Sequence, residues 1–159
     1  MRVWGVLCAV SPGLGTFAVL ELHDARASRA PIALAHGARV ISLNERGSLR
    51  LTSKHGFTLN ERGAASGTIP GTIYVHLRIV STKRVTAEVN IYPKGGSVSG
   101  QGTASYRREG ATGSFSGSLS IERGSGSYNH ARGSGLSFSG TIARSNSAIA
   151  VHVSGRMTD

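Results

Sequence analysis

The chain has 159 residues, with eighteen Lys and Arg against eight Asp and Glu, a formal net charge of +10 and one cysteine. Cys8 lies in the first thirty residues, so the remainder is excluded from disulfide, Cys-ligated metal and cysteine-nucleophile chemistry. The basic residues are scattered singly, with only Lys83-Arg84 and Arg107-Arg108 adjacent. This favours solubility and loose attraction to anionic surfaces over specific nucleic-acid binding.

Residues 1–30 read as a leader. Arg2 precedes an apolar stretch from residue 3 to 22, and Ala25, Ala27 and Ala30 supply the small residues of a cleavage site. The expectation is a secreted or envelope-associated protein with no membrane segment beyond the leader; an uncleaved hydrophobic anchor and a misplaced start codon are the other readings. Residues 31–44 read as a lead-in that holds a first strand, and residues 45–159 as one compact domain.

That domain alternates throughout and shows no helical period. Arg39 to Leu43, Ser48 to Ser53 and Phe57 to Glu61 are short strand candidates. Leu-Asn-Glu-Arg-Gly at 43–47 and again at 59–63, and Glu-Arg-Gly at 122–124, read as strand ends followed by turns. In residues 72–80 the apolar set is Ile73, Val75, Leu77 and Ile79; in residues 84–92 it is Val85, Ala87, Val89 and Ile91. Placing both sets on one face requires Ile79 opposite Val85, a loop of Ser81-Thr82-Lys83, and His76 opposite Glu88. Val98 to Tyr106 and the segment with Phe115, Leu119 and Ile121 make two more strands. Leu136, Phe138 and Ile142 then pair with Ile149, Val151 and Val153 about a turn at Ser145-Asn146. Short strands, tight turns and no helix predict an all-β barrel or sandwich, and closure into a barrel would remove the unpaired edges.

An apolar residue followed by Ser-Gly occurs at 98–100, 115–117, 138–140 and 153–155, which puts each glycine on the inward face, where a barrel needs space or sharp coiling. Catalytic readings of these glycines fail on detail. Phe115 stands where a nucleophile elbow needs serine, and no Gly-Lys-Ser/Thr follows the run at 124–127.

The stretch from Ile121 to Gly135, with Gly124, Gly126, Tyr128, Ala131 and Gly133 as its turn residues, is similar to the GGTGxYxxAxG turn of the allene oxide cyclase and dirigent-like barrels. Residues 95–102 resemble that family's GGSixGxG strand opening, and residues 66–71 its GxxxG segment. The resemblance covers about residues 45–157. It implies an eight-stranded antiparallel β-barrel, a dimer or trimer, with a lumen pocket and cofactor-independent cyclisation or coupling chemistry. No catalytic residue of the family aligns with a position here.

The candidate ligand-binding residues are Tyr74, His76, Arg78, Glu88 and Asn90, which share one face of the central hairpin. A carboxylate opposite an imidazole orients it and raises its pKa, whereas the same set on an outer wall is a solvated cross-strand cluster. No cofactor and no metal are expected, since the histidines are dispersed. The resulting expectation is an exported barrel binding a small hydrophobic molecule in its lumen; the alternatives are a structural or adhesive barrel without catalysis, and an outer-membrane barrel with a lipid-facing band.

Overall fold

The structure, a computed structural model, describes residues 38–159. The expected leader, residues 1–30, and the start of the lead-in lie outside the described residues. Eight strands run in chain order: β1 (Val40–His55), β2 (Thr58–Gly67), β3 (Gly71–Ser81), β4 (Arg84–Pro93), β5 (Gly96–Glu109), β6 (Thr112–Gly126), β7 (Gly133–Ala143) and β8 (Ile149–Thr158). Each pairs antiparallel with the next, and β8 returns to β1 to close the barrel. β1 begins at Val40, inside the stretch read as a lead-in.

Alternation sets the two faces. Leu43, Leu49, Leu59, Ile73, Val75, Leu77 and their counterparts on β4 to β8 point inward and are buried. Outward positions carry Ser, Thr, Asn and Arg, the reverse of the pattern a lipid-facing barrel wears. The central hairpin has the expected register, with Ile79 opposite Val85, Val75 opposite Val89, and His76 opposite Glu88. Its turn differs. Ser81 pairs with Arg84, so Thr82-Lys83 alone makes the turn and the extra residue, Val80, sits in a bulge. In the last hairpin, expected to turn at Ser145-Asn146, it is Ser147 that takes positive φ (57°). Asn146 acts instead through its side chain, Oδ1 accepting from the Ala148 amide at 3.0 Å.

The two Leu-Asn-Glu-Arg-Gly segments overturn their reading as strand ends. Both lie inside strands, and the first fuses two expected short strands into the sixteen-residue β1. From sequence alone the glycine reads as a stop signal. In a coiled barrel it is a packing residue: a Cβ at Gly47 would lie 2.7 Å from Val151 Cγ1 and 3.3 Å from Ile73 Cδ1.

The resemblance's turn residues divide between strand and turn. Gly124 and Gly126 end β6, Gly133 starts β7, and Tyr128 and Ala131 lie in the connection, where the Ala131 amide donates to Tyr128 O at 3.0 Å. Gly126 has φ +60°, a conformation that favours glycine. The Ser-Gly repeats are architectural as expected. At Gly140 a Cβ would meet Phe115 Cζ at 2.5 Å and crowd the Ala150 carbonyl. Gly140→Ala is therefore expected to destabilise the barrel by about 1–3 kcal/mol through overpacking. Urea denaturation measures this, and a change below about 0.5 kcal/mol would show that the β7–β8 wall yields freely.

Candidate functional site

Three regions of the barrel hold chemistry-bearing side chains: the interior, the outer wall of β1 to β4, and the end that carries the turns at 56–57, 82–83, 110–111 and 144–148.

The interior is filled. A cavity of about 10 Å³ lies among Leu43, Val89, Ile91, Val98, Leu119 and Val153, about the room one water needs. Phe115 and Phe138 pack against each other at 5.1 Å between ring centroids. Two acids share this apolar space. Glu45 and Glu61, the third residues of the two Leu-Asn-Glu-Arg-Gly segments, are each 1% exposed. Alternation explains their placement: Leu43, Glu45 and Gly47 follow one another on the inward face of β1, and Leu59 and Glu61 do so on β2. In the third, shorter copy Glu122 follows Ile121 directly, so it faces out and accepts from Gln101 Nε2 at 3.2 Å.

The two buried carboxyls differ in support. Glu45 Oε1 accepts from the backbone amide of Ile69, whose side chain is buried in the loop between β2 and β3. Burial raises the Glu45 pKa, and the Ile69 and Thr68 amides oppose that rise. Glu61 lies opposite Leu51 on β1 and Val75 on β3. Neither of its oxygens has a hydrogen-bond partner among the described residues. Desolvation pushes its pKa up to about 7, so the neutral acid is the form the interior favours. The sequence reading passed over both residues; the signal that finds them is inward alternation continuing through the glycine.

The five candidate ligand residues stand together on the outer wall. Tyr74 lies opposite Asn90, His76 opposite Glu88, and Arg78 opposite Thr86. Glu88 Oε1 accepts from Asn90 Nδ2 at 3.3 Å. Tyr74 meets Tyr92 edge to face, centroids 5.5 Å apart, and the Arg62 guanidinium lies 5.4 Å from the Tyr74 ring centre. Arg46, Arg50 and Arg62 join the same wall from β1 and β2, two of them from segments the sequence reading treated as turns.

At the turn-bearing end an open groove of about 450 Å³ is lined by Phe57, Ile79, Val80, Tyr106 and Arg108 together with Ser81 and Thr82. Phe57 is 74% exposed and the bulged Val80 53%. A wider depression of about 650 Å³ shares Thr82, Tyr106 and Arg108 with it and adds Lys83 and Arg107. The β5–β6 hairpin builds this rim by running past β4, whose first residue pairs with Ser105.

Comparison with protein-family models, with curated proteins and with solved structures finds no match for this chain. The architecture therefore stands on its own geometry: a small, closed, eight-stranded antiparallel β-barrel, with no family assigned.

Glu61 makes stability depend on pH in a defined direction. Below about pH 4.5 its carboxyl is protonated in both folded and unfolded chains. Between that value and about 7 the unfolded chain loses the proton while the folded chain keeps it, so stability falls as pH rises, and the effect levels off above about 7. The expected loss is about 3 kcal/mol, with Glu45 adding in the same direction. Glu61→Gln should flatten most of this slope in denaturation curves between pH 4.5 and 8. An unchanged slope would mean that the carboxyl is solvated.

Proposed function

We propose that the chain is a small-molecule-binding barrel that takes an amphipathic, anionic ligand at its turn-bearing end. The observation that carries this reading is the groove of about 450 Å³ walled by Phe57, Ile79, Val80 and Tyr106, a size within the usual range for small-ligand sites. An exposed aromatic and an exposed bulged valine side by side are surface that a ligand would remove from water, at roughly 25 cal/mol per Å². Arg108 at the lip, with Lys83 and Arg107 in the adjoining depression, supplies positive charge for a carboxylate or sulfonate head group.

This reading keeps the small hydrophobic ligand expected of an allene oxide cyclase or dirigent-like barrel and moves it from the lumen to the mouth. A ligand inside would have to displace packed side chains around the 10 Å³ void. Binding without turnover is proposed, because the described residues that line the groove include no carboxylate or imidazole. The filled interior favours a second reading, an exported structural barrel without a ligand.

Titration with anilinonaphthalene sulfonate, followed by displacement with decanoate, tests the groove. Saturable binding near one probe per chain is expected, weakened about tenfold or more by Phe57→Ser and Val80→Ser. No saturable binding, or binding that both variants leave intact, would favour the structural reading.

A further inference from the structure

The outer wall of β1 to β4 carries a row of cationic side chains with no balancing charge among the described residues. Following hydrogen-bonded neighbours across the sheet, Arg50 lies directly opposite Arg62, Arg62 opposite Tyr74, Tyr74 opposite Asn90, and Asn90 opposite Ser99. Two like charges directly across an antiparallel pair are destabilising. Among the described residues the ion pair found is Arg39 with Asp159, away from this row, so no carboxylate lies within 4.0 Å of either arginine. Arg46 stands four residues from Arg50 on the same strand, roughly 13 Å along it, and adds a third outward cation. Glu88 is the one acid pointing outward on these four strands, and it is engaged with Asn90.

Aromatic surface lies beside the cations. Tyr74 and Tyr92 are 38% and 50% exposed. The next row across the sheet, Ser48, Ala64, Thr72 and Tyr92, sets three small side chains in line with Tyr92, so a planar ring has a flat approach to that tyrosine. The opposite wall differs in kind. On β6 and β7 the outward positions 114, 116, 118, 137, 139 and 141 are all serine or threonine, and the charged pair Glu122-Arg123 lies near the end of β6. Arg50, Arg62, Tyr74 and Tyr92 thus form one cluster of cations and rings, a grouping hidden in the sequence because successive outward residues are two apart and neighbouring strands are separated by turns.

We propose that this wall binds single-stranded nucleic acid without sequence preference, phosphates lying along Arg46, Arg50 and Arg62 and bases stacking on Tyr92 and Tyr74. Cations that track a backbone beside exposed aromatic faces are what such binding uses. A bound phosphate between Arg50 and Arg62 relieves their repulsion. Contacts to phosphates and to ring faces read charge and planarity and carry no sequence code. This site is separate from the mouth groove: Phe57, Val80 and Arg108 take no part in it.

The test is titration of the full chain with a fluorescein-labelled oligothymidylate of about twenty nucleotides at several salt concentrations. Saturable binding is expected, with log K falling against log salt at a slope of about −2, near −0.7 for each of three phosphates neutralised. Arg50→Gln and Arg62→Gln should each reduce that slope by about 0.7. Tyr92→Leu should weaken binding about tenfold at fixed salt while leaving the slope unchanged. No binding overturns the proposal. So does binding that Tyr92→Leu and Tyr74→Leu leave intact but a reversal of charge at Arg156, on β8, abolishes, since that is unselective attraction to a basic protein. Tighter, tyrosine-dependent binding of heparin in competition would replace nucleic acid with an acidic polysaccharide.

Discussion

Closure of the barrel is the constraint on which the rest of this structure depends. β1 and β8 are the first and last strands, and they pair from Val40 opposite Thr158 to Leu49 opposite Ile149. Beyond the Val40–Thr158 pair, Arg39 and Asp159 exchange backbone hydrogen bonds of 2.8 and 2.9 Å, and their side chains make an ion pair at 3.6 Å. Without this seam the sheet would present two long unpaired edges, with no helix among the described residues to cover them. With it, every strand has two neighbours, and the alternation of side chains divides the protein into an interior and an outer wall. The long β1 supports both sides of the seam, because the same residues, 45–49, pair with β8 on one edge and with β2 on the other.

Closing eight strands around side chains of ordinary size leaves little empty space, and this decides where function can lie. Leucines, isoleucines and two packed phenylalanines occupy the axis, and glycine at positions such as 47 and 140 lets neighbouring side chains or strands approach. Glu61 is the departure from that economy. An apolar residue would fill its place without any desolvation cost, yet a carboxyl with no hydrogen-bond partner among the described residues stands there. Desolvation by the surrounding hydrocarbon raises its pKa, so its ionisation reports on the integrity of the interior. Both surfaces proposed for binding lie outside, one at the mouth where β5 and β6 overrun β4, the other on the wall where β1 to β4 present their outward faces.

Much of the fold was legible in the sequence, because period-two alternation survives any loop. Ile73 to Ile79 and Val85 to Ile91 specify their own register, and His76 faces Glu88 as that register requires. The errors came where local chemistry and the barrel disagree. Gly47 and Gly63 look like strand terminators, but a strongly coiled strand uses glycine in its interior. The bulge at Val80 could not be read from the apolar pattern, which fixes Ile79 and Val85 equally well with or without it. The charged wall was missed for a related reason. Arg46, Arg50 and Arg62 are distant in sequence, and only the β1–β2 register brings Arg50 against Arg62 and Arg62 against Tyr74. The five candidate residues of the central hairpin were grouped correctly as neighbours, and the wall they occupy proved wider than the hairpin.

Hydrogen exchange across the seam tests closure most directly. If β8 is hydrogen-bonded to β1, the amides that cross-link residues 40–49 to 149–158 should exchange only through global unfolding, as slowly as those between β3 and β4. Protection that is strong from β2 to β7 but lost along the seam would mean an open, curled sheet. In that case the filled interior, the neutral Glu61 and the division into two outer surfaces would all have to be rebuilt.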